Sequence, residues 1–256
     1  WTGLCFESHT TARVRVWRVC HSKRQRARLL QRPGVMMRLT ALVVLLSLLG
    51  ACDAQPLAQS CPPPVAAQTG SWPNEPAGFK PVSAREWKCE GVAQVSDELV
   101  FTYPPGFQSG YAPGVAYLDL AAPAPEVYFG FRWTPSREWE SHSSGVNKIA
   151  LLFPSTSAGG TIYIMMFYDR GRYTIQVETT FERDTRRLEP NLATTPVVLG
   201  EEHQIEWYVR YSSNPSSRDG VVRWWLDGVK QGEYTNLQMP PDPGFTQFTI
   251  NPVWGG

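Results

Sequence analysis

The stretch His203-Gln-Ile-Glu-Trp-Tyr-Val-Arg-Tyr211, followed after a loop by Val221-Val-Arg-Trp-Trp-Leu-Asp-Gly228, decides the fold class. Ile205, Trp207, Val209 and Tyr211 alternate with Gln204, Glu206, Tyr208 and Arg210, and Val222, Trp224 and Leu226 alternate with Val221, Arg223 and Trp225. A period of two sends one set to the core face of a strand and the other to the opposite face. Asp227-Gly228 is a two-residue hairpin signal, and the polar run from Ser212 to Gly220 reads as a longer loop.

Working outward, Val127, Phe129, Phe131 and Trp133 alternate with Tyr128, Gly130 and Arg132 in the same way. Further strands are expected at 97–103, 115–120, 147–153, 161–168, 172–180 and 245–251, separated by Gly, Pro, Asn, Ser and Asp clusters. No amphipathic run of helical length competes, so an all-β sandwich or barrel is expected. Aromatics at 12%, with ten Trp, exclude disorder for the bulk of the chain.

Charge divides the chain. Residues 1–38 hold nine Lys/Arg and one acid, Glu7, so the totals of 24 and 23 leave 24 − 9 = 15 basic against 23 − 1 = 22 acidic residues, a net −7 for the rest. A net-acidic folded part argues against a nucleic-acid partner, whose phosphates demand clustered Lys/Arg. Residues 1–35, which contain no Met, are expected to be an over-extended leader, so Cys5, Cys20, His9 and His21 carry no functional argument. Met36-Met37-Arg38 and the apolar run Leu39 to Gly50 have the size of a signal-peptide core, about a dozen residues rather than the ~20 of a membrane span.

The end of that run, Leu49-Gly50-Ala51-Cys52, resembles the lipobox of bacterial lipoproteins. The resemblance implies cleavage before Cys52, lipidation of its thiol, and a place in the bacterial cell envelope, periplasmic or at the cell surface, with the membrane reached through a lipid anchor. Residues 52–74 then read as a Pro/Ala-rich tether, and 75–256 as the folded domain. With Cys52 lipidated, Cys61 and Cys89 are the two thiols left in an oxidising compartment, and a disulfide between them is expected.

Asn147-Lys148-Ile149, His203 to Tyr208, Asp219 to Gly228 and Pro252-Val253-Trp254-Gly255-Gly256 resemble the concanavalin A-like lectin and glucanase superfamily, most narrowly its bacterial polysaccharide-lyase-like jelly rolls. The resemblance implies a sandwich of two antiparallel sheets with a glycan lying along the concave one. In such domains a closing strand follows the Trp-Gly-Gly segment, so the chain is expected to be truncated at its C-terminus.

Residues opposite the core face of each strand are then the candidate glycan contacts: Tyr128, Arg132, Lys148, Gln176, Glu178, Glu206, Tyr208, Arg210, Arg223, Trp225, Gln247 and Asn251. Rings cover the apolar faces of sugars, and amides, carboxylates and guanidinium groups match hydroxyls and uronate carboxylates. The first expectation is a lipid-anchored polysaccharide-binding domain. The alternative is a lyase that cleaves an acidic glycan by β-elimination, with Arg132 or Arg210 neutralising the uronate, Lys148 or Tyr208 as base and Tyr128 as acid. His142, in a loop beside Asn147, is a further basic candidate, whereas His203 shares the parity of Ile205 and is expected to be structural. A third reading is a structural, lamin-like jelly roll. The Glu-x-Asp-x-x-Glu run that sets paired glucanase carboxylates about 5 Å apart is absent. Neither a metal-ligand spacing nor a phosphate-binding Gly loop occurs, and no cofactor is expected.

Overall fold

The computed structural model describes residues 4–8, 13–16, 59–60, 72–77, 79, 88–95, 98–104, 106–154, 160–181, 184–239 and 244–256. They form two eight-stranded antiparallel sheets. The first runs β15 (Val229–Leu237), β14 (Gly220–Leu226), β13 (His203–Arg210), β8 (Glu126–Pro135), β1 (Leu4–Ser8), β6 (Glu98–Tyr103), β5 (Ala93–Val95), with β2 (Arg13–Val16) also paired to β8. The second runs β12 (Asp184–Leu188), β11 (Arg172–Phe181), β10 (Ile162–Asp169), β9 (Val146–Pro154), β16 (Phe245–Ile250), β7 (Val115–Ala124), β4 (Lys88–Glu90), β3 (Gln59–Ser60). The all-β sandwich is the one expected from the alternation. β1 and β2 come from the stretch expected to stand outside the domain.

The core lies between the sheets and is built from the apolar parity of each strand. Phe129 of β8 stacks on Phe248 of β16 with centroids 4.2 Å apart, and Trp224 of β14 donates its indole N–H to the Ile175 carbonyl of β11 at 3.0 Å. Both contacts cross the sandwich and fix how one sheet sits on the other. Trp207, Trp224 and Phe129 are fully buried, so each indole or phenyl contributes about 3 kcal/mol or more of apolar burial. Asp227 and Gly228 both take positive φ, 51° and 77°, the type I′ geometry that the right-handed strand twist favours.

Besides β1, β2 and the tether segment β3, four strands escape the alternation reading. β4 and β5 are too short for a period, and β12 is the polar edge segment Asp-Thr-Arg-Arg-Leu. β15 is an edge strand whose Gly232 has to be small because the Trp224 ring lies against it. Cys89 on β4 is disulfide-bonded. Its expected partner Cys61 lies outside the described residues, immediately after Ser60, which pairs with Lys88. The signal segment and the expected lipidation site Cys52 also lie outside the described residues. Among the described residues, no helix is long and apolar enough to cross a membrane.

Candidate functional site

The outer face of the second sheet carries one continuous row of directly paired residues. Arg187 of β12 faces Glu178 of β11, Glu178 faces Tyr163 of β10, and Tyr163 faces Leu151 of β9. The row continues through Thr249 of β16 and Tyr117 of β7 to Lys88 of β4. With strands about 4.8 Å apart, it spans roughly 29 Å across the sheet. Beside it runs a second row, Gln176, Met165 and Lys148.

Lys148 reaches this face because of a β-bulge. The register between β9 and β10 shifts at Ile164/Met165, so that Ile149 and Ala150 both turn into the core. A regular strand would give Lys148 the parity of Ala150 and Leu152, both fully buried. The extra residue re-aims Lys148 outward, opposite Met165.

There the Lys148 ammonium lies 4.7 Å from the centroid of the Tyr163 ring. No carboxylate among the described residues comes within ion-pair distance of it. Burial pulls the Lys148 pKa down from the ordinary lysine value, and the Glu178 charge opposes that fall. Burial pushes the Tyr163 hydroxyl in the other direction, and the neighbouring Glu178 carboxylate adds to the rise. The pair therefore combines an amine that gives up its proton more readily than usual with a phenol that keeps its own. Arg187 lays its guanidinium 4.2 Å from the Phe167 ring centroid, with its Nε 3.9 Å from Glu178 Oε2.

Buried polar atoms flank the pair. Gln176 donates Nε2 to Thr174 Oγ1 at 3.2 Å, while its Oε1 and the Thr249 hydroxyl have no hydrogen-bond partner. One sits on the strand beside β10, the other on the strand beside β9. Val146, Leu151 and Met165 form a buried apolar cluster with Tyr163. At the end of β9, His142 packs edge-on to Trp254, its centroid 4.9 Å away, and its Nδ1 accepts the Ser144 N–H at 3.1 Å. Gly255 lies against the His142 ring and Gly256 against Val146 and Lys148.

The other face is a different surface, which corrects the single groove expected from strand parity. Tyr128, Arg132, Glu206, Tyr208, Arg210, Arg223 and Trp225 all belong to the first sheet, on the far side of the sandwich from Lys148, Gln176, Glu178, Gln247 and Asn251. Both sets do lie opposite the core, but a sandwich has two such faces. The first is covered, because Trp72 lies against Gly130 and Phe79 packs edge-on to Tyr128 and Tyr208. Asn74 donates its backbone N–H at 3.1 Å and its Nδ2 at 2.9 Å to the two oxygens of Glu206. Gln204 Nε2 and the Tyr128 hydroxyl donate to the same carboxylate. Glu206 is 0% exposed and fully engaged as the anchor of a strap.

Tyr208, expected as a base, donates its hydroxyl to Glu126, and burial together with that carboxylate pushes its pKa up. Tyr128 and Trp225 are buried in the same apolar cluster. The cations here are already answered: Arg132 by Glu202 at 3.3 Å, Arg223 by Glu233, and Arg210 by the Asp219 carbonyl at 3.1 Å. On the second sheet Gln247 donates to Asp119 at 2.8 Å, and the Asn251 N–H donates to the Ile149 carbonyl. His203 is structural, with Nδ1 2.8 Å from Asp227 Oδ2 and Nε2 accepting the Val198 N–H at 3.0 Å.

Tyr163 and Arg187 are the site residues that strand parity did not raise. Tyr163 alternates with Ile162 and Ile164, so both faces of β10 are apolar and nothing polar marks the outer one. Arg187 lies on the short edge strand that the alternation missed. Among the described residues, no group of three His, Cys, Asp or Glu side chains could hold a metal ion.

No family model and no curated protein matches the sequence. Solved structures with a similar arrangement exist. An endo-β-1,4-glucuronan lyase from the fungus Trichoderma reesei matches with a TM-score of 0.44 and 19% identity over 64% of this chain and 75% of that one. The alginate lyase Aly36B matches with a TM-score of 0.42 and 14% identity over 67% and 71%. A variant of the same lyase in complex with an alginate trisaccharide matches at 0.44 and 14% over 58% and 68%. At TM-scores below 0.5 these likenesses assign neither substrate nor residue roles to this chain.

Proposed function

We propose that the outer face of the second sheet binds a uronate-containing polysaccharide across its strands and cleaves it by β-elimination. The observation that carries this is Lys148, re-aimed by the bulge, buried enough to lower its pKa and seated against the hydroxyphenyl ring of Tyr163. The glycan lies over the buried cluster of Val146, Leu151 and Met165, and Arg187, whose side chain is 37% exposed, neutralises the uronate carboxylate. Neutralisation makes the C5 proton acidic. The Lys148 amine takes that proton, the C5–H electrons form the C4=C5 double bond, and the C4–O4 bond breaks. Tyr163 gives its proton to the departing O4 and regains one from the Lys148 ammonium, which leaves both groups as they began. The lipobox-like segment before Cys52 supports a setting in the cell envelope, where such polymers are met; Cys52→Ser should release the protein from the membrane fraction.

The test is incubation of the protein with poly-mannuronate, glucuronan and a heparin-type polymer while following the ultraviolet absorbance of the unsaturated product. Rising absorbance with one polymer supports the reading. A flat trace with retained binding replaces it with a glycan-binding module that does no chemistry.

A further inference from the structure

Glu178 poses a problem for that reading, on which this inference rests: a carboxylate stands in the middle of a face assigned to an anionic polymer. Its position answers the problem. Glu178 is the cross-strand partner of both Tyr163 and Arg187, and its side chain is 24% exposed, with Oε2 turned toward the Arg187 guanidinium. The ammonium of Lys148 lies 4.7 Å from the centroid of the same Tyr163 ring. With Lys148 protonated, two cations face one carboxylate and the centre is net positive as a uronate docks; with Lys148 as the free amine that the elimination requires, Arg187 and Glu178 balance each other.

We infer that Glu178 is a positioning residue of the elimination: from between Tyr163 and Arg187 it orients the proton-donating hydroxyl and holds the guanidinium over the face. Tyr163 from β10 and Glu178 from β11 bear on Lys148 directly, Arg187 from β12 bears on Glu178 and Tyr163, and His142 lies beyond Gly255 at the other end. The Glu178 charge opposes the loss of the ammonium proton, as does the Tyr163 ring beneath it, so Glu178 helps set the pH at which Lys148 becomes a base.

The experiment is the pH dependence of kcat/KM for wild type, Glu178→Gln and Glu178→Asp on the uronate polymer that the wild type cleaves, with circular dichroism confirming the fold of each. A free Lys148 amine is needed for turnover, so activity rises with pH through the Lys148 pKa. Removing the Glu178 charge lowers that pKa, and the rising limb of Glu178→Gln moves to lower pH. Its kcat falls about tenfold while KM stays or drops, because a repulsive charge has gone. Glu178→Asp keeps the limb in place. A wild-type limb that Glu178→Gln does not shift, whatever happens to kcat, overturns the positioning role. A wild type inactive on all three polymers overturns the lyase reading itself, and the Glu178 role falls with it.

Discussion

Lys148 and Tyr163 come from adjacent strands, yet they meet only because β9 carries one residue more than its partner opposite Met165. The ammonium lies 4.7 Å from the ring centroid, a cation–π contact worth about 0.5–2 kcal/mol that holds the amine over the sheet. Because burial lowers the Lys148 pKa, the free amine appears at a lower pH than in an ordinary lysine. The kcat/KM profile should therefore rise through a midpoint below the usual lysine range. Tyr163→Phe should cut kcat by about 10² with KM nearly unchanged, as steady-state kinetics would show.

The strap on the opposite face hangs on Glu206. Replacing it with Ala leaves Asn74, Gln204 and Tyr128 donors without their acceptor in a buried place. A loss of about 3 kcal/mol in denaturant unfolding is expected, with glycan turnover unchanged. A stability change under about 0.5 kcal/mol would show that the strap is not anchored there.

Gly130 tests the same strap from beneath. A Cβ at this position would stand 2.6 Å from the Trp72 ring, so Gly130→Ala has to displace the indole. The expected cost is about 1–3 kcal/mol, together with a red shift of tryptophan fluorescence as Trp72 becomes hydrated.

Trp224 joins the two sheets through its bond to the Ile175 carbonyl and fills the space against Gly232. Trp224→Ala removes the ring, opens a cavity and orphans that carbonyl. A loss of about 3–5 kcal/mol is expected by thermal or denaturant unfolding.

Much of the fold was legible. Parity puts Trp207, Trp224, Phe129 and Phe131 in the core, and they are buried there, because a two-residue period determines the face once the strand is regular. The site was legible only in part. Parity says that Tyr208 and Gln176 both point away from the core, but it cannot say that they leave by opposite sides of the sandwich. That follows from sheet order, which local sequence does not encode. Its residue type makes Lys148 a candidate base, yet the bulge that turns it outward leaves no mark in the alternation of Ile149, Ala150, Leu151 and Leu152, all apolar. Trp72 and Asn74, expected in the tether, turned out to close the first sheet's outer face; their composition gives no hint of a partner fifty or more residues away.

The most direct test of which face does the chemistry compares Lys148→Ala with Tyr208→Phe on the polymer cleaved by the wild type, reading formation of the unsaturated product. The account predicts that Lys148→Ala abolishes product formation while keeping a cooperative unfolding transition, and that Tyr208→Phe turns over at the wild-type rate. Retained activity in Lys148→Ala, with loss in an equally folded Tyr208→Phe, would place the site on the first sheet and contradict it.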